Sequence, residues 1–219
     1  MNTKKITFSA MCILVNIVFG MFVGMLNIPL LFLDTVGTVL GAVVLGPLWG
    51  ALIGGGTNLV LGVISDPTNI PFALVNIALG VIVGFIARKK SFGYKEAILT
   101  GLLLAVVCPL IGTPISILLF GGLSGSGADL LVGFLVQSGQ EIFTAAFIPR
   151  IISNIVDKPL SCILVVYFLS KMPKTLYLSF LNRLIKFHNI ITFLKHSVKK
   201  GVALIFATPF FHVILYLFI

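Results

Sequence analysis

Long apolar runs without a single charge determine what this chain can fold into. Such runs cover residues 6–33, 35–65, 67–87 and 97–128. Each is long enough to cross a bilayer, because a spanning helix needs about 20 apolar residues. Only 10% of the 219 residues are charged and 58% are hydrophobic, whereas soluble domains carry about 25% charged residues. The sequence therefore predicts an all-α integral membrane protein, and the recurring runs are too extensive for a cleaved signal peptide alone.

The basic excess of the chain fits the charge bias of membrane proteins. The net charge is +9, from 15 basic and 6 acidic residues, and the basic residues flank apolar segments. This pattern favours positively charged cytoplasmic loops over a nucleic-acid partner. The cysteines lie within apolar runs and lack disulfide or zinc-ligand spacing, so we expect them to pack as small apolar side chains and predict no metal. They are Cys12, Cys108 and Cys162.

Residues 34–58 form the stretch around which the rest of the chain is arranged. Pro47 interrupts this apolar, glycine-rich segment near its middle, which predicts two spanning helices joined by a very short turn. Trp49, the only tryptophan, suits the level of the lipid headgroups. Gly50 and Gly54 follow at a four-residue step, which favours the close approach of another helix.

The distribution of charge predicts six spans, with both termini on the cytoplasmic side of the membrane. The expected spans are about residues 6–26, 31–46, 49–64, 72–87, 97–120 and 151–169. Basic residues on the cytoplasmic side would be Lys4, Lys5, Arg88, Lys89, Lys90, Lys95, Lys171 and Lys174. These six spans would form one membrane domain over residues 1–174. Residues 175–219 would form a C-terminal extension, a basic amphipathic helix and an apolar end that spans, re-enters or lies on the membrane.

Prolines and polar residues complicate the second half of the chain. Pro109 and Pro114 predict kinks or a break in the fifth span. Residues 130–147 are apolar but carry polar side chains, so we expect a helix at the outer surface or dipping into the protein, ended by Pro149 and Arg150. A seventh span there is the alternative, but it would place the basic tail outside, against the charge bias.

Candidate binding residues are the polar side chains at membrane depth, because such side chains are costly in lipid and tend to face a partner or a cavity. These are Asp34, Asn58, Asn76, Gln137, Gln140, Glu141, Asn154, Asp157 and Lys158. An outward-open apolar pocket with a few such groups would bind a small amphiphilic molecule. Asn58 or Asn76 could equally bond helix to helix. The sequence lacks Walker, HExxH and GxSxG motifs, so we predict neither an enzyme nor a bound cofactor.

Three segments give the chain a resemblance to a known family. They are the LGPLWGALIGG turn, the segment IPFALVNIALGVIVGFIARKK after the polar outer loop, and NIVDKPLSCILVVYFLSKMP as the last span. Over about residues 5–174 the chain resembles a substrate-binding S component of the energy-coupling factor (ECF) transporters. The resemblance implies a six-helix fold like that of the riboflavin-type members. Riboflavin, thiamine or its pyrimidine, pyridoxine, cobalamin and queuosine precursors remain open as substrates.

The resemblance also implies partners. An S component captures a vitamin or related micronutrient outside the cell and works with a transmembrane coupling subunit and two cytoplasmic ATPases. Family members usually contact the coupling subunit through an AxxxA pattern on the first helix. Here the matching region offers Ser9 and Ala10 without the full pattern.

Two other classes of function remain as alternatives. A self-sufficient secondary transporter or channel would often show two related halves, and no convincing repeat is present. A membrane enzyme or a structural membrane protein is the third class, and the missing catalytic motifs weigh against the enzyme.

Overall fold

The computed structural model describes residues 3–26, 30–121 and 129–171, and all regular secondary structure within these ranges is helical. The predicted extension over residues 175–219 lies outside them and stays a prediction. The described helices are α1 (Thr3–Leu26), α2 (Val36–Leu45), α3 (Pro47–Ile64), a short 3₁₀ helix (Pro67–Asn69), α4 (Ala73–Lys89), α5 (Tyr94–Phe120), α6 (Asp129–Gln137) and α7 (Ile142–Lys171).

The predicted all-α membrane fold is confirmed. Five helical segments in the described ranges are long and apolar enough to cross a bilayer, namely Thr3–Leu26, Pro47–Ile64, Pro67–Lys89, Tyr94–Phe120 and Ile142–Lys171. The sixth membrane helix of the expected framework is α2, which has only 10 residues. At 1.5 Å per residue it covers about 15 Å, half of a hydrocarbon core of about 30 Å.

The predicted start of the second helix was wrong. Helix α2 begins at Val36 rather than near Leu31. The preceding residues are non-helical, and Leu30 and Leu33 have positive φ angles of 66° and 50°. Apolarity alone had suggested a longer helix, but the backbone here is instead bound by a side chain from a distant part of the sequence.

The core of the bundle surrounds α2. Val36, Thr38, Val39 and Ala42 are almost completely buried, and α1, α3, α4 and α7 all pack against this helix. A helix that is apolar on every side is compatible with such enclosure. Its N-terminal end therefore lies inside the bundle.

The predicted turn between the second and third helices is confirmed. Gly46 has a φ of 97°, and Pro47 occupies the first turn of α3, where its missing N–H costs no hydrogen bond. A β-carbon on Gly46 would lie only 2.6 Å from a guanidinium nitrogen of Arg88. The arginine side chain is flexible enough to move aside, so the positive φ angle is what favours glycine at this position. Near this turn, the ammonium of Lys5 lies 6.0 Å from the centre of the Trp49 ring.

Glycines allow the backbones of α3 and α4 to come into contact. The spacing of Gly50 and Gly54 predicted such a close approach for α3. A β-carbon on Gly54 would lie 2.4 Å from the carbonyl oxygen of Asn76, and one on Gly80 would lie 2.3 Å from the carbonyl carbon of Gly50. By contrast, a β-carbon on Gly24 of α1 would meet no described atom within 4 Å. The α3–α4 contact thus depends on the absence of side chains.

The last long helix differs from the expected one. Pro149 was predicted to end a helix, but α7 continues through it from Ile142. Side chains supply donors to neighbouring carbonyl groups: Nη1 of Arg150 donates to Ala146 at 2.7 Å, and Oγ of Ser153 donates to Pro149 at 3.0 Å. Pro149 itself leaves the carbonyl of Ala145 without its helical N–H partner, and membrane helices tolerate such a proline when neighbouring groups satisfy the freed carbonyl.

Two further predictions concern the same region. The single helix expected over residues 130–147 is divided into two. Helix α6 ends at Gln137, Gly139 in the connection has a φ of 85°, and α7 begins at Ile142. Helix α5 runs unbroken through Pro109 and Pro114, so the predicted break does not occur.

We predict that Gly80→Ala destabilises the protein while Gly24→Ala does not. The added methyl at position 80 collides with the backbone of α3, and overpacking of this kind costs about 1–3 kcal/mol. Both substitutions make the same change in helix propensity, so thermal unfolding of the purified protein in detergent isolates the packing effect. Equal unfolding temperatures for the two variants would contradict the close contact.

Candidate functional site

The connection between α1 and α2 is anchored inside the bundle by a carboxylate of α7. Oδ1 of Asp157 accepts hydrogen bonds from the backbone N–H groups of Phe32 and Leu33, both at 2.8 Å. The Asp157 side chain is fully buried. Backbone groups at membrane depth have no water to bond with, so this carboxylate allows a non-helical segment to exist there. We refer to residues 30–35 as the anchored loop.

Lys158 neutralises the buried carboxylate and joins it to the end of the anchored loop. Its ammonium donates to Oδ2 of Asp157 at 2.7 Å, to Oγ1 of Thr35 at 3.3 Å and to Oδ1 of Asp34 at 3.5 Å. A lysine ammonium has three donors, so these contacts use them all. The sequence analysis left open whether neighbouring Asp157 and Lys158 pair, and the structure shows that they do.

Asp34 is the accessible member of this charged cluster, which we define as Asp34, Asp157 and Lys158. Its side chain is 44% exposed, against 7% for Lys158 and 0% for Asp157. Its β-carbon lies 3.3 Å from the position that a β-carbon on Gly20 of α1 would take. The cluster contains two carboxylates and one ammonium, so one negative charge is left over, and Asp34 presents it.

A second polar network fixes the start of α2. Oδ1 of Asn16 on α1 accepts from the N–H groups of Gly37 and Thr38 at 2.6 and 3.2 Å. Its Nδ2 donates to the hydroxyls of Thr38 and Thr57 at 2.8 and 2.9 Å. The first N–H groups of a helix have no partner within it. Asn16 therefore caps α2 from another helix and connects α1, α2 and α3.

Asn58 and Asn76, two of the predicted site residues, bond to each other. Nδ2 of Asn76 donates to Oδ1 of Asn58, whose own Nδ2 donates to the carbonyl of Asn69 at 3.1 Å. These bonds tie α3 to α4 and to the loop after α3. In that loop Asp66 caps the 3₁₀ helix, and its pKa is lowered because Thr68 donates hydrogen bonds to its carboxylate. The two amides serve at least as links between helices.

Arg150 occupies the α5–α7 contact. Its Nη2 donates to Oγ of Ser116 at 2.6 Å, in addition to the bond with Ala146. Asn154, a predicted site residue, is half-buried one turn further along α7 and donates to the carbonyl of Arg150 at 2.7 Å. Asn154 and Lys158 are four residues apart, so they lie on the same face of α7.

The other predicted residues lie elsewhere. Gln137, Gln140 and Glu141 are exposed at the connection between α6 and α7. On α1, Ala10 is exposed and Ser9 is buried. A role in ligand binding for the first three, and a role in coupling-subunit contact for the last two, both stay predictions.

Sequence reasoning missed the residues that support the charged cluster. Asn16, Thr35, Thr38 and Thr57 were not among the candidates. Asn16 carried a usable signal, because it is the only amide within the predicted first helix and polar side chains are costly in lipid. The threonines carried no such signal, since threonine is common in membrane helices and can bond within its own helix.

The fold and the cluster define a class: a small helical membrane protein with a non-helical loop whose backbone is bonded to a buried ion pair. The family model for the substrate-specific component of ECF transporters matches residues 4–169. The match covers well over half of the chain, which therefore belongs to this family. Comparisons with curated proteins and with solved structures gave no significant match.

We predict that Lys158→Met destabilises the protein more than the double substitution Asp157→Asn with Lys158→Met. The single change leaves the Asp157 charge buried without a counter-ion, which costs about 3–5 kcal/mol. In the double variant, the asparagine carbonyl can still accept from Phe32 and Leu33, and neither charge of the pair is left buried. Thermal unfolding in detergent measures the difference; a double variant no more stable than the single one would contradict the proposed balance.

Proposed function

We propose that this chain is the substrate-capture subunit of an ECF-type ABC importer. It takes a vitamin or related micronutrient from outside a bacterial cell and delivers it together with a transmembrane coupling subunit and two cytoplasmic ATPases. The family match supports a substrate-binding S component. The mechanism is binding without covalent change, so this proposal gives the chain no enzymatic activity and no cofactor of its own.

The observation that carries the proposal is the anchored loop with its charged cluster. Burying charge in a membrane protein is costly and such residues commonly mark functional pathways. Here the buried ion pair of Asp157 and Lys158 holds a loop that ends in a partly exposed carboxylate, Asp34. A carboxylate at the edge of an apolar bundle is the kind of polar group that orients a small ligand.

The predicted ligand-binding residues can be assigned different roles according to the hydrogen bonds that they already make within the protein. Asp157 and Lys158 are buried and bonded to the loop and to each other, so we assign them the positioning of the loop. Asp34 is assigned direct contact with the ligand, and Asn154 lies on the same face of α7 as Lys158. Asn58 and Asn76 hold the outer ends of α3 and α4. Gln137, Gln140 and Glu141 could contribute from the α6–α7 connection only if a ligand reaches that far.

The proposal can be tested through its partners. An affinity-tagged chain, extracted from its native membranes with a mild detergent, should co-purify with one coupling subunit and two ATPases, identified by mass spectrometry. The purified chain alone, in liposomes without ATP, should not accumulate the small molecule that co-purifies with it. Recovery of the chain alone, with uptake driven by an ion gradient, would instead support a self-sufficient secondary transporter.

The orientation in the plasma membrane gives a second prediction. The three native cysteines are buried, so they should react slowly with a membrane-impermeant maleimide. Ser65 directly follows α3 and Ser91 lies just after α4, so these two exposed residues belong to the connections before and after α4. In intact cells Ser65→Cys should be labelled, and Ser91→Cys should be labelled only after permeabilisation. The reverse pattern would contradict cytoplasmic termini.

A further inference from the structure

The geometry points to a substrate that inserts a positively charged nitrogen beside Asp34. This inference rests on the proposed function and narrows it to a chemical class of ligand. It follows from which groups around the anchored loop still have bonding capacity and from the charge that they leave over.

The donors of the charged cluster are already used. Each of the three N–H groups of Lys158 has an oxygen partner, on Asp157, Thr35 and Asp34. Lys158 is also only 7% exposed. An anionic ligand needs free donors or an uncompensated cation, and Lys158 offers neither.

The other cation on the same side of α7 is Arg150. Its guanidinium donates to the carbonyl of Ala146 and to the hydroxyl of Ser116. Those bonds direct it into the α5–α7 contact. Arg150 also lies eight residues before Lys158 on α7, about 12 Å along the helix axis, so an anion held by it would not lie beside Asp34.

The carboxylate oxygens of the charged cluster, unlike its donors, are not all in use. Both oxygens of Asp157 are occupied: Oδ1 receives two backbone N–H groups and Oδ2 receives the Lys158 ammonium. Asp34 has one contact within the described residues, at 3.5 Å to Lys158, whereas a carboxylate can accept about four hydrogen bonds. Unused acceptor capacity is therefore concentrated on one accessible side chain.

The net charge of the cluster also favours a cationic ligand. One ammonium shared by two carboxylates leaves a net negative charge, and a cation is attracted to it. A cationic nitrogen beside Asp34 would restore neutrality and make short, charge-assisted hydrogen bonds. An anion placed there would add to an existing excess of negative charge.

Affinity selection followed by mass spectrometry tests this inference. The purified full chain in detergent is incubated with an equimolar mixture of thiamine and pyridoxamine, which carry a positive charge, riboflavin and pyridoxine, which are uncharged at neutral pH, and pantothenate and folate, which are anionic. Any small molecule that the chain carries from its native membranes is identified in parallel. We expect a cation from the mixture or from the membranes to be retained.

Substitution of Asp34 supplies the specific readout. Asp34→Asn should weaken retention of that cation by about 10-fold to 100-fold, since a charge-assisted bond is replaced by a neutral one. Asp66→Asn is the matched control: it removes the same charge from the loop after α3 and should leave binding unchanged. Asp34 makes only one long contact, so the unfolding temperature of Asp34→Asn should match that of the wild type.

The possible outcomes separate the two claims. Retention of an anionic or uncharged compound, unaffected by Asp34→Asn, would overturn the cationic class and leave the proposed capture function standing. Retention of a cation equally by the wild type and Asp34→Asn would overturn the role of Asp34. Retention of nothing, from the mixture or from the native membranes, would count against substrate capture itself and overturn this inference with it.

Discussion

The bonds between the Asp157 carboxylate and the backbone of Phe32 and Leu33 are the interaction on which the rest of this structure depends. Without water, unpaired backbone donors in a bilayer cost several kcal/mol each. One carboxylate oxygen removes two of them. This allows the anchored loop to remain non-helical and allows α2 to be only 10 residues long.

Other features follow from that arrangement. A half-length helix that starts inside the protein needs an internal cap, which Asn16 provides. A buried carboxylate needs a counter-ion, which Lys158 provides. The enclosure of α2 in turn requires its neighbours to approach closely, and the glycines of α3 and α4 permit this. The polar residues of the interior therefore form a support for the loop, with Asp34 at its accessible end.

The sequence predicted the parts that depend on local composition. Uncharged runs marked the spans, Pro47 marked the turn, and Gly50 and Gly54 marked a close helix contact. It failed where distant residues decide the outcome. The start of α2 depends on Asp157, more than a hundred positions away, and α7 continues through Pro149 because a proline within a packed membrane helix need not end it. Asp34, Asp157 and Lys158 were recognised as candidates, but their pairing required the fold.

An experimental structure of the purified chain with its co-purified small molecule would test the central claim most directly. The account predicts ligand density in contact with the Asp34 carboxylate, with Asp157 still bonded to the backbone of Phe32 and Leu33. Density at the exposed α6–α7 connection, with no contact to the anchored loop, would contradict it.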